Sequence, residues 1–138
     1  MDKRIEKLFA DYGKAFSALE LQKTAELYSD EFIAAGPKGI ISQKRAEFLA
    51  NAGKAAEFYR SVGQQSAKAL SMKETWFGDD YVIVTIHWGV TFKTLKKPVE
   101  FDVSYLVQLT DKTPRIILFI SHEDEEETMR KLGLLKAA

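Results

Sequence analysis

Apolar residues recur every three or four positions from the start of the chain, as they do on one face of an amphipathic helix. Ser17, followed three residues later by Glu20, forms a capping-box pattern. This pattern predicts that a second short helix begins at Ser17. The apolar positions of the first segment are Ile5, Leu8, Phe9, Tyr12, Phe16 and Leu19.

A short strand and a third helix follow. Residues 30–36 read DEFIAAG, which is a strand pattern, and Pro37 with Gly39 turns the chain after it. Ser42 is the expected N-cap of a helix that ends before Gly63, because glycine is favoured just past a helix end. The predicted buried face of this helix comprises Phe48, Leu49, Ala52, Ala55, Ala56 and Tyr59.

From Gln65 onward the hydrophobic period changes to the two-residue period of strands. Four long strands are predicted, over residues 66–77, 81–92, 99–109 and 115–122. Their connections read Gly-Asp-Asp, KTLKKP and Asp-Lys-Thr-Pro, and the lysine-rich stretch is typical of a hairpin tip. Consecutive strands with short connections form an antiparallel meander. The final stretch, EDEEETMRKLGLL, predicts a short helix with its acids at the N-terminal end.

This order of elements predicts an α+β fold, in which a curved antiparallel sheet packs on three N-terminal helices and a short C-terminal helix follows. A curved sheet covered by helices leaves a cone-shaped cavity between the two layers. The length of the chain predicts a single domain over residues 1–138.

Composition restricts the functional classes. The formal net charge is zero, which argues against a protein that binds nucleic acid by neutralising phosphates. The chain has no cysteine, so disulfides and thiolate nucleophiles are excluded. The N-terminus is charged, and no apolar run is long enough to span a bilayer. We therefore expect a soluble cytoplasmic protein with no nucleic-acid or membrane partner.

The chain resembles the nuclear-transport-factor-2-like superfamily, which includes ketosteroid isomerases and SnoaL-like polyketide cyclases. The most specific part of the resemblance is the start, YGKAFSALELQKTAELYSDEFIAAGP (12–37). The ending RIILFISHEDE, followed by a terminal helix, also looks like the family. The resemblance covers nearly the whole chain in the order of its elements and implies the same cone-shaped fold.

The resemblance also implies where catalytic residues would lie. Steroid isomerases of this superfamily use a tyrosine of the first helix as an oxyanion donor, and Tyr12 matches it. The position of their aspartate base is Gly36, and that of their second carboxylic acid falls at Leu106 or Tyr105. No other carboxylate is expected to replace the base, so the steroid isomerase reaction is not expected. Gly36 itself is interpreted as a backbone requirement of the bend into Pro37.

The strand over residues 99–109 has two different faces. Ordinary burial directs Tyr105 towards the helices and leaves Asp102 on the opposite face. A bulge of one residue would exchange the two faces and bring Asp102 inside. We favour the register with Tyr105 inside and keep Asp102 as a catalytic candidate for the other register.

Each of the two histidines has a functional and a structural interpretation. His87 lies on the polar side of its strand, where members of the superfamily often dimerise, so we interpret it as an interface or surface histidine and not as a catalyst. His122 ends the last strand beside Glu123 and Asp124. It is either a proton-transfer group whose pKa these acids raise, or a histidine at a strand end beside a solvated helix start. No repeated ligand spacing indicates a metal site, and we expect neither a metal nor another cofactor.

Aromatic residues in several of the predicted elements are candidates for a pocket that binds a flat apolar ligand. Individually, most of them could equally fill the core. The predicted pocket residues are Tyr12, Phe16, Tyr59, Trp76, Trp88, Phe101 and Tyr105.

Three functions remain open at this point. The favoured hypothesis is a protein that binds a small apolar or carbonyl-bearing molecule. The second is a SnoaL-like isomerase, cyclase or dehydratase that transfers protons through His122 or Asp102, with Tyr12 or Tyr105 as partner. The third is a dimeric association module, and a homodimer through the outer face of the sheet is expected in any case.

Overall fold

The computed structural model of the protein describes residues 1–110 and 113–135. It contains four helices and a six-stranded sheet in these residues. The elements are α1 (Lys3–Ser17), α2 (Leu21–Ala25), β1 (Tyr28–Gly36), β2 (Gly39–Lys44), α3 (Arg45–Ser61), β3 (Gln64–Phe77), β4 (Tyr81–Phe92), β5 (Val99–Gln108), β6 (Arg115–Ser121) and α4 (Glu125–Lys131).

The α+β fold class is confirmed, with a curved and unclosed sheet in the strand order β2-β1-β6-β5-β4-β3. Strands β3 to β6 form the predicted antiparallel meander. The sheet is not antiparallel throughout, because β1 pairs with β6 in parallel. The first hairpin therefore joins the edge of the meander formed by the last strand in sequence, an association that no local pattern encodes. Part of the predicted Asp-Lys-Thr-Pro turn lies outside the described residues.

Strand β2 occupies the place where the sequence predicted the start of a helix. Ser42 lies inside this strand, so its assignment as an N-cap is wrong, and α3 begins three residues later at Arg45. The apolar side chains of β2 do not alternate in burial, since the neighbours Ile40 and Ile41 are 67% and 59% exposed. Strand detection by alternation fails for such an edge strand. Gly63, with φ of +83°, follows the end of α3 as predicted.

The predicted capping box is also wrong. The helix α2 begins at Leu21, and its N-cap residue Glu20 makes no capping hydrogen bond through its side chain. The Ser17 hydroxyl instead bonds the backbone of β3: it donates to the carbonyl of Ala67 and accepts from the N–H of Ala67, each at 2.8 Å. Ser17 thus satisfies polar groups on the free edge of β3, which would otherwise be buried without partners.

The main core lies between α1 and the inner face of the sheet. Ile5, Leu8 and Phe9 of α1 are almost fully buried there. Residues of β4 alternate between buried and partly exposed positions, which fits a strand covered on one face. Leu49, predicted to be buried, is 40% exposed because α3 buries mainly its alanine face at Ala52. None of the helices in the described residues is long and apolar enough to cross a membrane.

Replacing Ser17 with alanine should lower the free energy of unfolding by about 1–3 kcal/mol, because two backbone groups of Ala67 lose their partner. Urea denaturation measures this difference. Ser61→Ala is the matched control, since the Ser61 hydroxyl is exposed and donates only to the nearby carbonyl of Phe58. Equal effects of the two substitutions would contradict the assigned role of Ser17.

Candidate functional site

A cavity of about 220 Å³ lies between the inner face of the sheet and helices α1, α2 and α3. More than half of the residues that line it are aromatic. Six of the seven predicted pocket residues lie in this lining, contributed by α1, α3, β4 and β5. They are Tyr12, Phe16, Tyr59, Trp88, Phe101 and Tyr105.

Trp76, the seventh predicted residue, does not line the cavity, so its assignment is wrong. Its side chain is 37% exposed on β3. Its partner on β4 is the buried Val82, so Trp76 points to the covered side of the sheet. Helix α1, which covers this side of the sheet, does not reach Trp76. The backbone N–H of Asp2, the residue just before α1 begins, donates to the carboxylate of Glu74 at 3.3 Å. Trp76 extends beyond that point.

Tyrosine and tryptophan side chains form the polar part of the cavity. The hydroxyls of Tyr12 and Tyr28 are 2.8 Å apart, and the indole N–H of Trp88 donates to the hydroxyl of Tyr105 at 3.0 Å. The rings of Tyr12 and Tyr105 meet edge to face, with centroids 5.5 Å apart. Tyr28, at the end of the helical segment in the sequence, was not predicted to belong to the site.

These hydrogen bonds leave donor capacity unused. Each of the three tyrosines carries one O–H proton and Trp88 carries one N–H proton. The four groups are linked by the Tyr12–Tyr28 and Trp88–Tyr105 hydrogen bonds and by a further interaction between the hydroxyls of Tyr12 and Tyr105. At least one hydroxyl proton therefore has no hydrogen-bond acceptor in the part of the chain that the structure describes. Burial raises the pKa of Tyr12, and raises those of Tyr28 and Tyr105 well above the ordinary value. The hydroxyls are therefore neutral donors at neutral pH.

A carboxyl group reaches the cavity from an unpredicted direction. Glu125, the first residue of α4, lines the cavity together with the tyrosines. Burial raises the pKa of its carboxyl, and the negative charges of Glu123 and Asp124 raise it further. From the sequence, Asp102 was the only acid considered for the cavity, so Glu125 was missed. The sequence offered one signal for Glu125. It lies four residues before Met129, which is buried on the same helix, and residues four apart share a helix face.

Gly36, at the position of the isomerase base, is not required by the backbone. Its φ does not lie in the left-handed region that favours glycine. A Cβ atom there would meet the Cβ of Ser121 at 3.6 Å, an ordinary contact. The interpretation of Gly36 as a conformational necessity was therefore wrong. The end of β1 nevertheless carries no acid, and Glu125 and Gly36 border the same recess beside the cavity.

The two predicted catalytic candidates lie outside the cavity. Tyr105 is 3% exposed on the inner face, and β4 and β5 pair without a bulge, so Asp102 lies on the outer face. Its carboxylate is 2.7 Å from Nδ1 of His87. His122 is exposed just after β6, and its Nε2 is 2.8 Å from the hydroxyl of Ser104. Neither side chain is placed to transfer a proton to a molecule in the cavity.

The outer face of the sheet carries its own polar cluster. His87 lies between two acids, with Nε2 at 2.8 Å from Glu100 and Nδ1 at 2.7 Å from Asp102. Hydrogen bonds to Glu100 and then Asp102 raise the pKa of His87, because both acids stabilise the imidazolium. Among residues 1–110 and 113–135, no three histidine or acidic side chains are grouped to hold a metal ion.

The curved sheet, the covering helices and the aromatic cavity place this protein in the NTF2-like class. A family model described as "NTF2-like protein (DUF6841)" matches residues 2–124. The chain belongs to this family. A search of curated proteins finds no significant match.

Solved structures with related folds support the same class. An NTF2-like protein of unknown function from Shewanella oneidensis is 18% identical, with a TM-score of 0.70 over 87% of this chain and 97% of that one. An NTF2-like protein with a cystatin-like fold from Novosphingobium aromaticivorans is 16% identical, with a TM-score of 0.69 over 98% and 88%. A ketosteroid isomerase-like protein from Erwinia carotovora atroseptica is 14% identical, with a TM-score of 0.63 over 86% and 92%. At these identities the likeness shows the fold alone.

Replacing Glu125 with glutamine should stabilise the protein at neutral pH. The folded protein holds the Glu125 proton more tightly than the unfolded chain does, so the wild type loses stability as pH rises through the window between the unfolded and folded pKa values. The variant cannot lose this proton. The gain should be near zero below about pH 4 and reach at most about 1 kcal/mol at pH 7.

Denaturation at several pH values measures this gain, with Glu126→Gln as the matched control. Glu126 is exposed and pairs with Lys38 and Arg130, so its replacement should give no gain that increases with pH. A wild type as stable as Glu125→Gln at pH 7 would contradict the desolvation of Glu125.

Proposed function

We propose that this protein binds a small, mostly apolar ring compound that carries an oxygen acceptor, such as a carbonyl or phenol. The observation that carries the proposal is the aromatic cavity in which at least one tyrosine hydroxyl proton lacks an acceptor. A ligand oxygen placed among Tyr12, Tyr28 and Tyr105 would accept a hydrogen bond from these hydroxyls. Burial of the ring among aromatic side chains would supply most of the binding free energy.

The size of the cavity limits the ligand. A cavity of roughly 150 Å³ accommodates benzene, whereas pockets for drug-sized ligands start at about 300 Å³. The cavity of about 220 Å³ lies between these limits, which favours a single substituted ring. A four-ring steroid is too large for this cavity as it stands, an independent reason to separate this protein from the steroid isomerases.

Proton transfer by His122 or Asp102 receives no support from the geometry, because both side chains lie away from the cavity. An association module with a vestigial cavity is also less well supported. Its cavity would be filled by protein side chains, whereas the space between Tyr12, Tyr59 and Trp88 is open.

The two tryptophans of the chain offer a direct binding assay. Trp76→Phe leaves Trp88, in the cavity lining, as the single tryptophan. Acetophenone should change the Trp88 fluorescence with saturation and should bind more tightly than ethylbenzene, which lacks the oxygen. In this background Tyr12→Phe should weaken acetophenone binding by about fivefold, the loss of one hydrogen bond of on the order of 1 kcal/mol, and leave ethylbenzene unchanged.

Tyr81→Phe is the matched control for this assay. Tyr81 lies outside the cavity, and its hydroxyl accepts a hydrogen bond from Gln108, so the same chemical change there should not alter binding. A lack of saturable binding by either compound would refute the proposed function. Equal affinities for the two compounds would refute the role of the tyrosine hydroxyls.

A homodimer through the outer face of the sheet is a second proposal. Four apolar residues form a row across this face, with Ile33 beside Leu118, Leu118 beside Leu106 and Leu106 beside Ile83. Each is at least partly exposed. This row can pack against the same row of a second copy of the chain, because a twofold axis brings identical surfaces together. We also propose a cytoplasmic location, with which the absence of cysteine is compatible.

Sedimentation at micromolar concentration should give twice the chain mass. Leu106→Glu should shift the protein to the monomer, because it places a charge in the middle of the apolar row. Leu49→Glu is the matched control, since Leu49 is 40% exposed on α3 and should leave the dimer intact. A monomeric wild type would overturn this proposal.

A further inference from the structure

Glu125 is the one charged side chain in the cavity lining, within the part of the chain that the structure describes. It also borders two adjoining recesses, one towards Met129 and one towards Gly36. Glu125 thus lies at the junction between the cavity and these two recesses. The tyrosines of the lining are neutral at neutral pH, and burial raises the pKa values of Tyr12 and Tyr105 further.

The surrounding charges leave Glu125 in a negative environment. The nearby cations are paired with other acids. Lys38 pairs with Asp124 at 3.2 Å and with Glu126 at 3.6 Å. Arg130 of α4 pairs with Glu126 at 3.5 Å and with Glu127 at 3.7 Å. Glu125 forms no ion pair within residues 1–110 and 113–135, and Glu123 and Asp124 add negative charge beside it. A cationic group at this place would relieve the repulsion, whereas an anionic ligand would increase it.

The aromatic lining also favours a cation. The faces of tyrosine, tryptophan and phenylalanine rings carry partial negative charge and attract ammonium groups. Phe16 and Tyr59, whose ring centroids are 5.3 Å apart, line both the main cavity and the recess towards Met129, as Glu125 does. An ammonium group near Glu125 would therefore lie close to aromatic rings as well as to a carboxylate.

An independent observation indicates a missing hydrogen-bond partner. Thr24 of α2 lines the cavity and is only 1% exposed, yet its hydroxyl oxygen has no hydrogen-bond partner among the described residues. A buried hydroxyl without a partner costs free energy, and native structures rarely leave one. An ammonium group has three N–H donors and can bond a carboxylate and a hydroxyl together.

We infer that the natural ligand is a small ring compound with an oxygen at one end and a protonated amine at the other, and that Glu125 binds the amine. This inference rests on the proposed function and names its ligand class. The oxygen would meet the hydroxyls of Tyr12 and Tyr105, and the ammonium would meet Glu125 and Thr24. Glu125 is then the specificity-determining residue, because it distinguishes amines from neutral and anionic compounds of equal shape.

Three probes of matched shape test the charge preference. They are 4-hydroxyphenethylamine, the corresponding alcohol 2-(4-hydroxyphenyl)ethanol, and 4-hydroxyphenylacetate. Calorimetry on the wild type should show the amine bound at least about tenfold more tightly than the alcohol, as expected for a partly buried charged hydrogen bond, and the acid bound most weakly. Glu125→Gln should reduce the advantage of the amine to within about twofold without weakening the alcohol.

Two further variants separate this effect from a general loss of charge or fold. Glu126→Gln removes the same charge one residue away, outside the main cavity, and should keep the amine preference. Thr24→Val should weaken the amine about threefold or more, because the ammonium loses its hydrogen bond to the hydroxyl. Because it removes a buried hydroxyl without a partner, it should not lower the melting temperature, so a failure to fold does not obscure the result.

The outcomes distinguish this inference from the proposed function. If the alcohol binds as tightly as the amine, or if Glu125→Gln keeps the tenfold preference, the role of Glu125 is refuted while the cavity remains a binding site. Phenethylamine, which lacks the ring oxygen, tests the other end. If it binds as tightly as its hydroxylated form, the tyrosine hydroxyls do not recognise the oxygen. If neither these probes nor acetophenone bind, both proposals fail.

Discussion

The contact on which the site depends is the packing of one face of α1 against the hydrogen-bonded aromatic side chains of the sheet. Tyr12 of α1 meets Tyr28 of β1 through their hydroxyls, and its ring packs against Trp88 of β4 and Tyr105 of β5. One helical side chain thereby connects three strands. The open cavity lies beside this group of hydrogen-bonded rings.

Because side chains alternate along its strands, the sheet carries aromatic residues on its inner face and the polar cluster of His87 on its outer face. On β5, Tyr105 points to the aromatic cavity, while Asp102 points outward to His87. Because side chains alternate along a strand, a shift of one residue would have placed a carboxylate in the cavity. The regular pairing of β4 with β5 prevents this, and the cavity obtains its acid from α4 instead, at Glu125. The NTF2-like fold thus carries neutral tyrosine hydroxyls from helix and sheet together with one acid from α4.

Some features of the site could be read from the sequence because they depend on local periodicity. The helical spacing of Phe9 and Tyr12 and the alternation through Trp88 and Tyr105 specify which faces are buried, and burial on a common core brings these rings together. Trp76 obeys the same alternation but lies beyond the helix that covers the sheet. Alternation identifies a face of a strand; it does not identify the length over which another element covers that face.

The sequence by itself determined the α+β class, the antiparallel meander and most of the aromatic lining, since each follows from a repeat along the chain. The tertiary structure decided the parallel pairing of β1 with β6, the use of Ser17 to bond β3 and the approach of Glu125 to the cavity. These three depend on contacts between residues far apart in sequence. The acids from Glu123 to Glu127 look alike as a sequence, and only the docking of α4 removes Glu125 from full contact with water. A difference in solvation within a uniform run of charges arises from packing, and no local pattern of residues records it.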